Sequence, residues 1–388
     1  MSPQDATEPE RTSADVQPKP AGTEGVLLRV AITLEQCWHE VPGGTASSAL
    51  ETVRALRKRP DVEVLGVAAR HHAPPPAPWT PPVVTHQLPL PRAALYESWN
   101  YLRRPGVQRA TGPIDVIHAT TMAIPPKSAP LVVTVHDLAF LQEPAHFTRN
   151  GVRFFNRGLQ LAKRDADLVL VPSHATYAEC VEAGFDRTTL RVVPHGVSVP
   201  TVSERRRVDF AAAHALPSRY VMWCGTLEPR KNVPALLEAF AIARRADPEL
   251  GLVMVGPSGW GNVEVPRDLD GVRLLGFLSR DDLHAAYAGA RAFAYPSLRE
   301  GFGLPVLEAM AHGVPVVTSA GSAMAEFSEG AGILVDPHDV RALAAAMTAA
   351  TGERHDELAT AAKPKAASYS WENAAALTVA AYREVIGR

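Results

Sequence analysis

Short apolar runs that do not alternate with polar residues, each followed by a helical pattern, constrain this chain more than any other feature. The runs 26–33 (VLLRVAIT), 62–69 (VEVLGVAA), 114–119 (IDVIHA), 131–137 (LVVTVHD) and 166–172 (ADLVLVP) are rich in β-branched residues. A strand with one face in water alternates apolar and polar residues, whereas a strand covered on both faces does not. The pattern therefore predicts parallel strands joined by crossover helices in a doubly wound α/β sheet. A polar, arginine-rich stretch follows Pro200, and the pattern then restarts at 220–226, 250–256, 272–277, 290–297, 314–320 and 332–337. A second α/β domain is expected, with the boundary near 197–218.

Composition narrows the classes of function. The 388 residues are 46% hydrophobic and 21% charged, enough apolar material for two cores. Thirty-nine basic and 41 acidic side chains give a net charge of -2, unlike a protein that holds nucleic acid by neutralising phosphates. Cys37, Cys180 and Cys224 lie far apart with no metal-ligand spacing, which fits a reducing compartment. Residues 1–25 lack the basic start and apolar stretch of a signal peptide and read as a disordered tail. No apolar run reaches the ~20 residues of a membrane span. The expected location is cytoplasmic, with peripheral contact at the inner face of a membrane left open.

The segment 295–319 (YPSLREGFGLPVLEAMAHGVPVVTS) is the most informative. It reads as a strand ending at Tyr295, a loop holding Glu300, Gly301, Phe302 and Gly303, and a helix with Pro305 in its first turn, where a missing N–H costs nothing. Glycines let a backbone approach a ligand closely, and free N–H groups at a helix N-terminus suit a diphosphate. Glu300 and Glu308 could face one crevice and accept hydrogen bonds from sugar hydroxyls. Glu308 could equally be a carboxylate that merely favours the positive helix end. A second segment, WCGTLEPRKNVPALLEAF, puts Gly225 and Thr226 at a strand end and Arg230 and Lys231 just before a helix, with Asn232 as the expected N-cap. Two cations at a helix N-terminus oppose its dipole. A bound anion would resolve the mismatch; a solvated cationic loop is the plainer alternative.

These motifs resemble retaining nucleotide-sugar-dependent glycosyltransferases of the GT-B fold, a family that includes bacterial mannosyltransferases and sucrose-phosphate-synthase-like enzymes. The likeness rests on EGFGLPVLE, on GTLEPRKN about 70 residues upstream, and on AGILVDPHDVRALAAAM downstream. It is thinner in the first half, at PGGT (42–45), VHDL (135–138) and DLVLVPSHAT. The resemblance implies two Rossmann-like domains facing each other across a cleft: 26–198 for the acceptor, 199–369 for the nucleotide sugar, and a terminal helix within 370–388 returning to the first. It implies that a hexose of the mannose or glucose type moves from a GDP- or UDP-sugar to a hydroxyl acceptor (a sugar, glycolipid or polyprenyl-linked glycan), without a metal.

By the same resemblance Glu300 contacts the donor sugar and Glu308 the ribose, while Lys231 and Arg230 bind the diphosphate. Gly225, Thr226, Gly301, Phe302, Gly303 and Leu304 line the donor site. Gly43 and Gly44 form a loop closing over phosphates and acceptor, and His136 lies near the transferred sugar. Three positions depart from the family pattern. Thr226 stands where an arginine is common, His195 where an asparagine is common, and Ala325 where a proline often precedes the glutamate, here Glu326.

Other readings carry less. The 14 histidines form no metal-binding spacing, no GxSxG serine occurs, and PGGTASS stands where a dinucleotide fingerprint would. Arg92, Arg103, Arg104 and Arg109, with Leu95, Tyr96, Trp99 and Tyr101, and with Arg149, Arg153, Phe154, Phe155 and Arg157, form either a basic aromatic surface for a lipid-linked acceptor or a helix packed on its own sheet. Rival functions are a GT-B-like sugar-nucleotide epimerase or hydrolase, and a catalytically silent partner subunit.

Overall fold

The computed structural model describes residues 27–40, 42–259, 263, 265–266 and 269–387; the expected tail 1–25 lies outside them. One sheet contains β1 (Leu28–Thr33), β2 (Val62–Ala68), β3 (Thr85–Gln87), β4 (Val116–Ala119), β5 (Leu131–Thr134), β6 (Leu168–Val171) and β7 (Leu190–Val192). Their spatial order is β3-β2-β1-β4-β5-β6-β7. The other contains β8 (Arg219–Cys224), β9 (Leu250–Val255), β10 (Val272–Gly276), β11 (Ala292–Tyr295), β12 (Val316–Ser319) and β13 (Gly332–Val335), ordered β10-β9-β8-β11-β12-β13. Every described strand pairing is parallel.

The lack of alternation follows from burial on both faces. Along β1, Val30 and Ile32 enter a cluster with Leu50, Val132 and Trp371, while Ala31 enters another with Ile117, Trp99 and Leu159. Two short strands have no counterpart in the sequence reading: β3 (THQ) and β7 (LRV), three residues each at the sheet edges. At three residues each they are too short to stand out as apolar runs, whereas the longer edge strands β10 and β13 of the other sheet did.

Helices bordering the site are α1 (Gly43–Leu56), α2 (Arg149–Asp165), α3 (His174–Glu182), α4 (Val233–Ala246), α5 (Arg280–Gly289), α6 (Leu304–Ala311), α7 (Ala323–Ser328) and α8 (Trp371–Ile386). Although last in sequence, α8 buries Trp371, Ala374, Ala375 and Tyr382 in the core built on β1 and α1. Tyr382 Oη lies 2.7 Å from His118 Nδ1, and Arg383 and Glu384 pair with Asp61 and Arg191. In both sheets the order reverses beside the first strand, between β1 and β4 and between β8 and β11. An open parallel sheet holds ligands in the crevice at the C-terminal ends of such strands.

Candidate active site

The loop after β11 carries Glu300 into a buried ionic cluster. Its Oε2 accepts from Arg230 Nη1 at 2.8 Å, and its Oε1 accepts from Lys231 Nζ at 2.5 Å and from Ser297 Oγ at 2.8 Å. Lys231 Nζ also donates to Tyr295 Oη at 2.6 Å, and Glu228 Oε1 lies 2.7 Å from Arg230 Nη2. The Glu300 side chain is 10% exposed and Lys231 7%. Glu300 is therefore not a solvent-facing loop carboxylate. Burial alone would raise its carboxyl, but Arg230 and Lys231 overcome that and hold it at about 2, so it is an anion at any working pH.

In this cluster both cations already have carboxylate partners within the protein. Glu228 and Glu300 already neutralise them, which removes the conflict with the α4 dipole without any bound anion. Asn232 corrects the capping expectation. It occupies the N-cap position of α4 with φ of 55°, but its side chain donates to the Pro337 carbonyl at 2.7 Å and caps nothing. Asparagine tolerates that left-handed backbone better than most residues.

Glu308 lies one turn into α6, near Tyr287 and Arg280 of α5 and Cys224 at the end of β8. Burial raises its carboxyl to about 7, with the Tyr287 hydroxyl and Arg280 pulling the other way. The Cys224 thiol, raised to about 12 by burial and the Glu308 charge, is no nucleophile. Gly225 continues the β8–β9 pairing through its N–H on the Val255 carbonyl at 2.9 Å, and the Thr226 methyl packs at Gly259.

A stability prediction follows for Glu308. Its folded carboxyl titrates near 7 against a reference of 4.5, so the folded state keeps a proton that the unfolded chain has lost between these values. Stability from this group is complete below about 4.5 and declines as pH rises to about 7. Glu308→Gln mimics the neutral form, so its unfolding midpoint in urea should exceed the parent's increasingly across that window and level off above it. Parallel midpoint–pH curves for the two proteins would refute this.

The other domain meets the Glu300 loop directly. A Cβ on Gly301 would stand 1.8 Å from the His136 carbonyl oxygen, so only glycine permits this approach. Gly303, at φ of 99°, turns the chain into α6. The Gly301 carbonyl accepts from Ser173 Oγ at 2.7 Å and Thr176 Oγ1 at 3.1 Å, both at the start of α3. Glu326 of α7 accepts the α3 backbone N–H groups of Ala175 at 2.8 Å and His174 at 3.0 Å, and Arg299 pairs with Glu179. The carboxylate thus completes another domain's helix N-terminus.

His136 Nε2 lies 3.0 Å from the Thr120 carbonyl oxygen, which can only accept, so Nε2 carries the proton. Burial lowers its pKa, so the ring is held neutral with its lone pair on Nδ1. Phe302 is less open than its loop position suggests: its ring packs against His195, Phe327 and Tyr369. Leu304 touches the cores of both domains. Gly43 and Gly44 begin α1, exposed, with nothing within 4 Å of where a Cβ would stand. They sit at the crevice edge rather than in the ionic cluster.

Several site residues escaped the sequence reading. Asp137 adds its charge to the Arg230–Glu228 environment from across the cleft, and Glu228, Tyr295 and Ser297 complete the cluster. Asp137 directly follows His136, and Glu228 precedes Pro229–Arg230–Lys231; both sat inside recognised motifs without an assigned partner. The basic aromatic stretch packs mostly inward, with Trp99 2% exposed, Tyr96 stacked on Phe154 and Phe155 on Phe140. Tyr101 and Leu102 face outward. Asp165 is held by Arg103 and Arg164, and Asp167 by Lys127. Among the described residues no group of three or more His, Cys, Asp or Glu side chains is placed to hold a metal ion, and no helix is long and apolar enough to cross a membrane.

Two facing parallel sheets with a carboxylate, two cations and a helix N-terminus at the crevice define a GT-B glycosyltransferase. Residues 218–352 match the family described as glycosyl transferases group 1, and residues 42–199 that described as glycosyltransferase family 4. The chain is 31% identical over 286 residues to O-antigen chain mannosyltransferase B of Escherichia coli, covering 69% of this chain and 74% of the relative. It is 31% identical over 322 residues to D-inositol 3-phosphate glycosyltransferase of Salinispora arenicola, covering 73% and 71%. The chain belongs to this glycosyltransferase family. Its fold is shared with sucrose-phosphate synthase from Thermosynechococcus elongatus (TM-score 0.71, 20% identity, 93% of this chain and 99% of that one). It is shared equally with Anabaena HepE, solved with UDP and glucose (TM-score 0.70, 20% identity, 92% and 100%).

Proposed function

We propose that this glycosyltransferase moves a hexose of the mannose or glucose type from a UDP- or GDP-sugar to a hydroxyl of a sugar, glycolipid or polyprenyl-linked glycan, with retention and without a metal. The observation that carries this reading is the placement of Arg230, Lys231 and Glu300 at the sheet's switch point, beside the N-terminus of α6. The bond from the anomeric carbon to the diphosphate breaks, the acceptor oxygen attacks from the same face, and its proton leaves with the diphosphate. Arg230, Lys231 and the loop N–H groups stabilise the departing charge, and the protein otherwise positions the acceptor. Glu300, an anion, suits hydrogen bonds from donor hydroxyls. A mannosyltransferase relative and a structural neighbour crystallised with UDP and glucose support the donor class. Outward-facing Tyr101 and Leu102 support peripheral membrane contact, which would suit a lipid-linked acceptor.

The test is NMR of the first-formed product, with and without excess chelator. Transfer should persist in chelator and the product should keep the donor's anomeric configuration. An inverted linkage would overturn retention, and loss of turnover in chelator would overturn the metal-free electrostatics. Free sugar formed whether or not an acceptor is present would favour a hydrolase.

A further inference from the structure

We infer that Glu228 is a positioning residue which holds Arg230 and Lys231 in the ligand-free cleft and releases them by taking a proton from solvent when a nucleoside diphosphate binds. The inference rests on the donor reading above and adds to it a proton linkage and the group responsible. Glu228 precedes the two cations in the loop after β8 and is 2% exposed. Its Oε1 lies 2.7 Å from Arg230 Nη2 and 3.8 Å from Lys231 Nζ. Its Oε2 is buried with no hydrogen-bond partner. Glu300 differs in that both its oxygens are occupied, by Arg230, Lys231 and Ser297. Two carboxylates share one pair of cations, and only one of them is fully satisfied as an anion.

The charge balance shows what a ligand must displace. Glu228 faces Arg230 and Lys231 on its own loop, Glu300 from the loop after β11, and Asp137 from the other domain. Three carboxylates against two cations leave the ionised cluster with an excess of one negative charge. A diphosphate drawn to Arg230 and Lys231 brings more negative charge into the same dry space, where like charges are poorly screened. One carboxyl must then become neutral, and paired acidic groups separate according to their surroundings. Burial already raises the Glu228 carboxyl, with the cations opposing and Glu300 and Asp137 adding to the rise. The arriving anion takes over the opposing cations. Protonated Glu228 no longer competes for the Arg230 guanidinium, whose second edge can then turn to the phosphates.

The experiment is calorimetric titration of the full chain with UDP and with GDP near neutral pH, in buffers of low and high ionisation enthalpy, for the wild type and Glu228→Gln. Protons released by Glu308 or by the nucleotide are common to both proteins and cancel in the comparison. The wild type should take up close to one proton more than the variant. Its diphosphate affinity should accordingly fall more steeply with rising pH, by up to about tenfold per unit. Equal proton counts in the two proteins would overturn the inference. Infrared difference spectra of the wild type alone, with and without the diphosphate, guard against a variant that fails to fold. A new protonated-carboxyl band is expected, and its absence would overturn the inference. Nucleotide binding with no such linkage overturns this inference alone, whereas no binding of UDP, GDP, ADP or dTDP overturns the donor reading and this inference with it.

Discussion

Glu300→Gln is expected to reduce transfer by about 10²–10³-fold, the loss typical of removing one preorganised electrostatic group from an active site. The buried position adds a second consequence that an exposed carboxylate would not have. The substitution leaves Arg230 and Lys231 with Glu228 as their close counter-ion. Breaking a buried ion pair usually costs about 3–5 kcal/mol. Here about 2–3 kcal/mol is expected, because Glu228 and the Ser297 hydroxyl remain and the cluster began with excess negative charge. Lower turnover should therefore come with a lower urea midpoint. Full activity in the folded variant would remove Glu300 from the site. Lost activity at an unchanged midpoint would contradict the ionic cluster.

Lys231→Ala and Arg230→Ala should each weaken UDP or GDP binding by about 10- to 150-fold, corresponding to one charge-assisted contact of about 1.5–3 kcal/mol. The two should differ in stability. Lys231 Nζ serves both Glu300 and Tyr295 from a side chain only 7% exposed, whereas Arg230 is 23% exposed. Lys231→Ala takes the charged partner from a buried carboxylate oxygen, leaving it only the Ser297 hydroxyl, and removes the partner of the buried Tyr295 hydroxyl, so it should be the less stable variant. Calorimetry for affinity and denaturant unfolding for stability separate these effects. Unchanged affinity in both variants would make the pair purely structural counter-ions to Glu228 and Glu300.

Closure of the two domains rests on polar groups that the family pattern only partly marks. Glu326, preceded here by Ala325, spends its carboxylate on the N-terminus of α3. His195, standing where an asparagine is common, uses its ring instead: it contacts Phe302 of the Glu300 loop, Trp371 of α8 and His136. Burial lowers the His195 pKa to about 3, so it packs there as a neutral ring. Thr226 brings no charge to the loop after β8, which leaves Arg230 and Lys231 as its cations.

The sequence alone pointed to the two parallel sheets, because strands covered on both faces are largely apolar without alternation, as at 28–33 and 250–255, and each such run is followed by a helical pattern. It also determined where the glycine loop, its two glutamates and the cationic pair lie along the chain, since each falls at a strand end or helix start marked by Gly or Pro. Only the tertiary structure decided which charges meet. Glu228, Asp137 and Glu300 lie up to 163 positions apart, from 137 to 300: crossover connections bring the ends of β8 and β11 together, and the meeting of the two domains adds Asp137. The three-residue strands β3 and β7 were equally invisible, because three residues are too few to form a recognisable apolar run. Nor does the sequence show that Glu300 is buried: nothing around residue 300 records that Arg230, Lys231 and Ser297 close over it. What makes that burial tolerable is long-range charge pairing, which no local pattern of residues records.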